Sequence, residues 1–403
     1  MRPETLSPQV TIPMIRRSAW ILFLCGALQA GGAEAPLGLW TSPEGVLMRG
    51  EKPYRGIGVN FFDCFSRTLK DPADTSYREG FRRLGEHGIP FARFQCCGHW
   101  PADWRLYFRD REAYFRQMDG VVKAAEESNV GLIPSLFWRL STVPDLVGEP
   151  CNRWGDPQSR THAFMRTYIR EVVGRYLDSP AIWGWEFGNE YNLAVDLPEP
   201  DKHRPQAAPA LGTPRARTKA DELTRPLLVV ALGEFGKAVR AIDRRRVLSS
   251  GNSIERDSAW HNAHESNWKR DSRAQFQEIF LADQPAPLDL LSLHIYPHSV
   301  GTYFADEKVE IIRACRQMAG AAHRPLYVGE FGSVNPKKEV ERRDFDFLLQ
   351  AIVDSGVPLA SLWVYDFDGQ KESTVTFQND RAWMLQAIAD ANKLFAKPSP
   401  LRD

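Results

Sequence analysis

The chain has 403 residues, with 51 lysines and arginines set against 51 aspartates and glutamates. That balance leaves no electrostatic footprint for nucleic acid or for an anionic membrane surface, and the length permits one large α/β domain or two ordinary ones. Tryptophan is the outlier at 12 residues; such rings either pack in a core or offer a face to an apolar partner.

Residues 1–35 read as an export signal. Arg16 and Arg17 precede the apolar run Ala19 to Leu28, and Ala33-Glu34-Ala35 has the small-x-small form of a cleavage site, with Met14 an alternative start. The run is shorter than the roughly 20 apolar residues a membrane span requires, and no later stretch approaches that length. The mature protein, residues 36–403, is therefore expected to be a single domain, secreted or periplasmic, monomeric and not in a membrane.

Short apolar runs then alternate with amphipathic helical ones. Strands are predicted to begin near Ile57, Phe91, Leu132, Ile182, Val247, Leu288, Leu326 and Leu359, and the helical stretches between them space apolar residues by three and four, as in Phe115, Met118 and Val122 or Phe345, Leu348 and Ile352. Repeated βα units of this kind predict a (β/α)8 TIM barrel. An open doubly wound sheet is the competitor, but no glycine-rich phosphate loop follows the first strand, where Ile57 to Phe62 runs straight into Asp63. The connection from Asn192 to Arg217 carries Pro198, Pro200, Pro205, Pro209 and Pro214 and reads as a long loop over the active-site face.

Five cysteines follow the leader, an odd number for an exported chain. Cys64, Cys96, Cys97 and Cys151 fall in loops at one end of the predicted strands and are expected to supply any disulfide, whereas Cys315 keeps helical step with Ile311 and Met318 and reads as a buried thiol.

Two runs carry the chemistry. Trp183 to Tyr191 is an aromatic strand that ends in Asn189-Glu190, and Leu326 to Gly332 repeats the form with Glu330. Carboxylates at the C-terminal ends of barrel strands lie at the active-site face, and two glutamates there are what a retaining glycosidase uses, one as acid/base and one as nucleophile. Glu186 shares a strand face with Glu190 two layers deeper, so it reads as a structural acid paired with Arg93. His261, His264 and Glu265 stand in the order His-x-x-His-Glu, not His-Glu-x-x-His, and with no third ligand in view neither a metal nor another cofactor is expected. No Gly-x-Ser-x-Gly elbow for a serine esterase occurs.

With these residues in place, the chain resembles the clan A glycoside hydrolases, and among them family 5, the cellulase and mannanase family. The family's strand-two arginine corresponds to Arg93, its strand-four Asn-Glu to Asn189 and Glu190, its strand-six His-x-Tyr to His294 and Tyr296, its strand-seven nucleophile to Glu330, and its strand-eight tryptophan to Trp363. The resemblance implies Glu190 as acid/base, Glu330 as nucleophile, and Arg93, Asn189, His294, Tyr296 and Trp363 around the substrate. Where the family carries a strand-three histidine, Pro134 to Trp138 has none; Trp138, Trp100, Asp63 and His99 near other strand ends are further candidates for substrate contact, as are Trp260, His261 and Trp268.

Arg93 and Tyr296 are expected beside Glu330, holding it ionised, while burial and the Glu330 charge raise Glu190. The implied partner is an oligo- or polysaccharide with β linkages, of mannan or glucan type. The alternative is a barrel that binds carbohydrate without cleaving it.

Overall fold

The computed structural model describes residues 37–297, 303, 304 and 308–396; the export signal expected over residues 1–35 lies outside them. The chain opens with three short antiparallel strands, β1 (Leu39–Thr41), β2 (Leu47–Arg49) and β3 (Lys52–Pro53). Eight parallel strands follow: β4 (Gly56–Asn60), β5 (Phe91–Gln95), β6 (Gly131–Phe137), β7 (Gly184–Gly188), β8 (Val247–Ser249), β9 (Leu291–Ile295), β10 (Leu326–Phe331) and β11 (Leu359–Leu362). Their order is β8-β7-β6-β5-β4-β11-β10-β9. The Asp289 and Leu290 amides, which immediately precede β9, both donate to the Leu248 carbonyl at 3.0 Å across the remaining seam. This is a (β/α)8 barrel, as expected.

Every residue of these eight strands is buried, as parallel strands covered by helices must be. The helix Arg111–Glu127 shows how the sequence builds one cover: the Asp110 side chain caps its start by accepting from the Ala113 amide at 2.9 Å, and Tyr114, Phe115, Met118, Val121, Val122 and Ala125 turn one stripe onto the sheet. Full burial of each larger apolar side chain on that stripe contributes about 1.5–3 kcal/mol.

Strand starts differ modestly from the sequence reading. An isolated bridge pairs Ile182 with Leu132 two residues before β7 proper, and β9 begins at Leu291 and not at Leu288. The expected disulfide does not form: Cys64, Cys96, Cys97, Cys151 and Cys315 are all free and buried. Cys96 Sγ packs at 3.5 Å from Met118 Sδ, and Cys97 Sγ accepts from the Trp138 amide at 3.4 Å, so these sulfurs serve the core as small apolar groups.

β1 and β2 close the barrel from below. Leu39 and Leu47 pack against Phe91, Ile133, Trp183, Val247, Leu290, Tyr327 and Leu359, which lie at or next to the starting ends of barrel strands. The opposite end, where the strands finish, is left open for side chains that are not apolar.

Candidate active site

The open end is organised by Arg93, which is fully buried at the middle of β5. Its guanidinium donates to Glu186 Oε1 at 2.7 Å, Asn60 Oδ1 at 3.0 Å, Glu330 Oε1 at 2.9 Å and Asn189 Oδ1 at 2.8 Å. One cation on β5 thus ties in β4, β7 and β10, and the planar fork of arginine is the side chain that can do so. Glu186 is the structural acid of this group, as the strand alternation implied.

Tyr296 donates to the other oxygen of Glu330 at 2.6 Å. His294 places Nδ1 2.9 Å from Glu190 Oε1 and 3.6 Å from Glu330 Oε1. The His294 ring needs the missing side chain of Gly329, where a Cβ would stand 2.7 Å from Nε2. Glu190 itself sits in a left-handed turn with φ 56°, its amide bonded to the Gly251 carbonyl at 2.9 Å.

One carboxylate oxygen of Glu190 and one of Glu330 lie within 4.8 Å of each other, with a ring nitrogen of His294 inside the same radius. A cation would accept such a trio by distance. Arg93 and Tyr296 already donate to Glu330, however, and His294 to an ionised Glu190, so the positive charge at this point is supplied by the protein.

The electrostatics differ from expectation. Burial pushes Glu330 above the ordinary glutamate range, and the Glu190 charge adds to it, against the pull of His294, Arg93 and Tyr296. At Glu190 burial also pushes upward, but the hydrogen bond and charge of His294, with Ser253 and Arg93, outweigh it and leave this carboxyl below the ordinary range. The reason is geometric: His294 turns to Glu190 and Glu330 lies deeper, with 6% of its side chain exposed against 32% for Glu190.

Around the carboxyls opens a pocket of about 750 Å³, whose walls include Trp100, Trp138, Asn189, Glu190, Tyr296, Glu330 and Trp363. The Trp138 and Trp363 rings lie 6.2 Å apart and 26° from parallel, and Arg93 lies 4.5 Å from the centre of the Trp138 ring. Asp63 and His99 line the pocket too, whereas Trp260, His261 and Trp268 are not on its wall. His261 instead bonds Asp271 at 2.7 Å and His264 stacks on Trp260, so the His-x-x-His-Glu run is spoken for by local structure.

Sequence reasoning missed Phe62, Gln95, Leu211 and Phe367, all on the pocket wall. Phe62 lies two residues beyond β4, so the strand-end rule applied to every strand would have found it; Leu211, from the long proline-rich loop, gave no such signal.

The family model described as Cellulase (glycosyl hydrolase family 5) matches residues 78–367. A probable mannan endo-1,4-beta-mannosidase A-1 of Aspergillus terreus is 30% identical over 129 residues, 27% of this chain and 33% of that protein. The chain therefore aligns with about a third of that curated relative. Among solved structures, the endo-1,4-beta-mannanase from Rhizomucor miehei superposes with a TM-score of 0.66 at 16% identity, over 89% of this chain and 99% of that one. A GH5_18 protein from Streptomyces cattleya, in complex with GlcNAc, superposes with a TM-score of 0.60 at 18% identity, over 86% and 82%.

Proposed function

Since the chain belongs to glycosyl hydrolase family 5, we propose that it is a retaining β-glycoside hydrolase acting on a β-linked glycan of mannan type, with Glu330 as nucleophile and Glu190 as acid/base. The observation that carries this reading is that one oxygen of Glu190 and one of Glu330 lie within 4.8 Å of each other at the barrel mouth, which leaves the two carboxyls close together. Double displacement needs about 5–5.5 Å, whereas inversion needs room for a water and a wider gap. The mannan preference rests on what the curated relative and the Rhizomucor miehei protein are named for.

In the proposed cycle Glu330 attacks the anomeric carbon while Glu190 protonates the departing oxygen; water then enters, and Glu190 takes its proton as the glycosyl ester is released. Asn189, whose Oδ1 is held by Arg93, has no partner for its side-chain amide N–H among the described residues and can donate it to a sugar hydroxyl. Trp363 and Trp138 offer faces to the pyranose. The two glutamates titrate as a pair, and the competent form is the singly protonated one, whichever carboxyl holds the proton at rest. A leaving group seated against Glu190 removes its remaining contact with water and moves the proton toward it.

The same reading has the protein exported, with its leader cut near Ala35, and acting as a monomer. A release assay on mannan, glucan, xylan and aryl β-glycosides tests the function: reducing sugar is expected from mannan. Nuclear magnetic resonance of early product is expected to find the β-anomer, and an initial α-anomer would remove Glu330 from the role of nucleophile. Binding without release would favour the non-catalytic carbohydrate-binding barrel.

A further inference from the structure

His99 follows β5 and lines the pocket between Phe62 and Trp100, ring centroids 6.2 and 5.5 Å away, and the cycle above gives it no task. Its tautomer follows from its neighbour. Gln95 is fully buried and its amide nitrogen donates to the Cys97 carbonyl at 3.1 Å, which fixes the amide so that its oxygen lies 3.3 Å from His99 Nδ1. An amide oxygen only accepts, so Nδ1 carries a hydrogen. Burial, helped by the Arg139 and Lys70 charges, pushes His99 down to about 4, so the ring is neutral near pH 7 and Nε2 is a bare acceptor. Among the described residues no hydrogen bond reaches Nε2, and the atom is not one of the sealed, partnerless ones. It is therefore accessible, on a ring that lines the pocket.

Position says which part of a substrate it meets. Phe62 packs against Trp138 at 4.8 Å and Trp363 at 5.7 Å, two rings that share the pocket wall with the glutamates, and also against His99 at 6.2 Å. The Phe62 ring thus stands between His99 and the tryptophan pair in the chain of ring contacts along the pocket wall. Resting on the glycosidase reading, we propose that His99 determines specificity: its Nε2 accepts from one free hydroxyl of the sugar next to the one being cleaved, so that a unit deoxygenated or acylated at that hydroxyl is discriminated against. A site built to accept from a hydroxyl leaves a buried acceptor unpaired when the donor is gone.

The test uses β-1,4-mannotetraose and analogues each lacking one hydroxyl, with the wild type, His99→Ala and His99→Gln. In the wild type one analogue is expected to lose about tenfold or more in kcat/KM against the parent. In His99→Ala the parent falls to the level of that analogue, and the analogue is unaffected further. His99→Gln, whose amide oxygen accepts, restores part of the parent's advantage. If every analogue keeps its wild-type ratio to the parent in His99→Ala, the ring only packs and the proposal falls alone. If the wild type cleaves neither mannotetraose nor any glycoside of the panel, the glycosidase reading falls and takes this one with it.

Discussion

Arg93 illustrates how much of the site one residue holds. It faces two carboxylates in a volume from which water is excluded, and removing the cation leaves Glu186 and Glu330 uncompensated. Breaking a buried ion pair in this way costs about 3–5 kcal/mol, so Arg93→Ala is expected to lose that much on chemical denaturation near pH 7; a loss under about 1 kcal/mol would mean that the acids simply take up protons. The glutamates should fail differently from each other. If Glu330 is the nucleophile proposed above, Glu330→Ala removes the attacking oxygen and should abolish turnover, with azide yielding an α-glycosyl azide. Glu190→Ala still allows attack on an aryl glycoside whose leaving group needs no proton, and azide should then give the β-glycosyl azide. Identical products from both variants would undo the assignment. Both glutamates were legible in the sequence, because each stands where an apolar strand stops. Their ionisation was not, because it depends on which carboxyl the His294 ring turns to, and spacing along the chain carries no information about a ring rotation.

The turn that carries Glu190 is shaped by segments rather than by its own residues. A left-handed φ costs a glutamate on the order of 1–3 kcal/mol, and it persists because the segment after β8 grips the turn: Gly251 accepts from the Glu190 amide at 2.9 Å, and Asn192 exchanges bonds with the Ser253 backbone at 2.9 and 3.1 Å. β10 contributes by what it lacks. A methyl group at Gly329 would meet the His294 ring at 2.7 and 2.9 Å, and a ring packed on all sides cannot move without cost. Gly329→Ala is expected to swing His294 away from Glu190 and to lower kcat about tenfold on mannan, with a smaller loss on an activated aryl glycoside. Equal losses on both substrates would assign the damage to the nucleophile's side. The long loop after β7 was readable as a cover for this face from its prolines alone. Its anchor was not: Arg217 pairs with Asp145 through bonds of 2.6 and 2.8 Å, between positions far apart in the chain that carry no shared pattern.

For the whole molecule, the barrel order was readable because strands buried on both faces become apolar runs, and these alternate with helical stripes. The floor made by β1 to β3 was not, since strands of two or three residues show no period. Neither was a buried acid pair beside the β8 to β9 seam. Glu255 and Asp283 are 1% and 0% exposed and lie close enough for their charges to interact; among the described residues Glu255 Oε1 and Asp283 Oδ2 have no hydrogen-bond partner, and Arg225 pairs with Asp283 and Asp196 together. Two buried carboxyls whose charges repel favour a state in which one of them keeps its proton. Burial, with the Asp283 charge, pushes Glu255 well above the ordinary range, and Asp283 is raised as well. A group whose folded pKa is raised adds stability that is complete below its unfolded pKa, about 4.3, and is lost as pH rises toward the folded value. Wherever the folded chain keeps a proton that the unfolded one has lost, stability falls with pH, by at most about 1.4 kcal/mol per pH unit for one proton. Glu255→Gln keeps a donor toward Asp283 and cannot ionise. Urea unfolding from pH 5 to pH 8 should therefore show the wild type losing stability relative to Glu255→Gln as pH rises, and parallel curves for the two proteins would mean that the pair carries no shared proton.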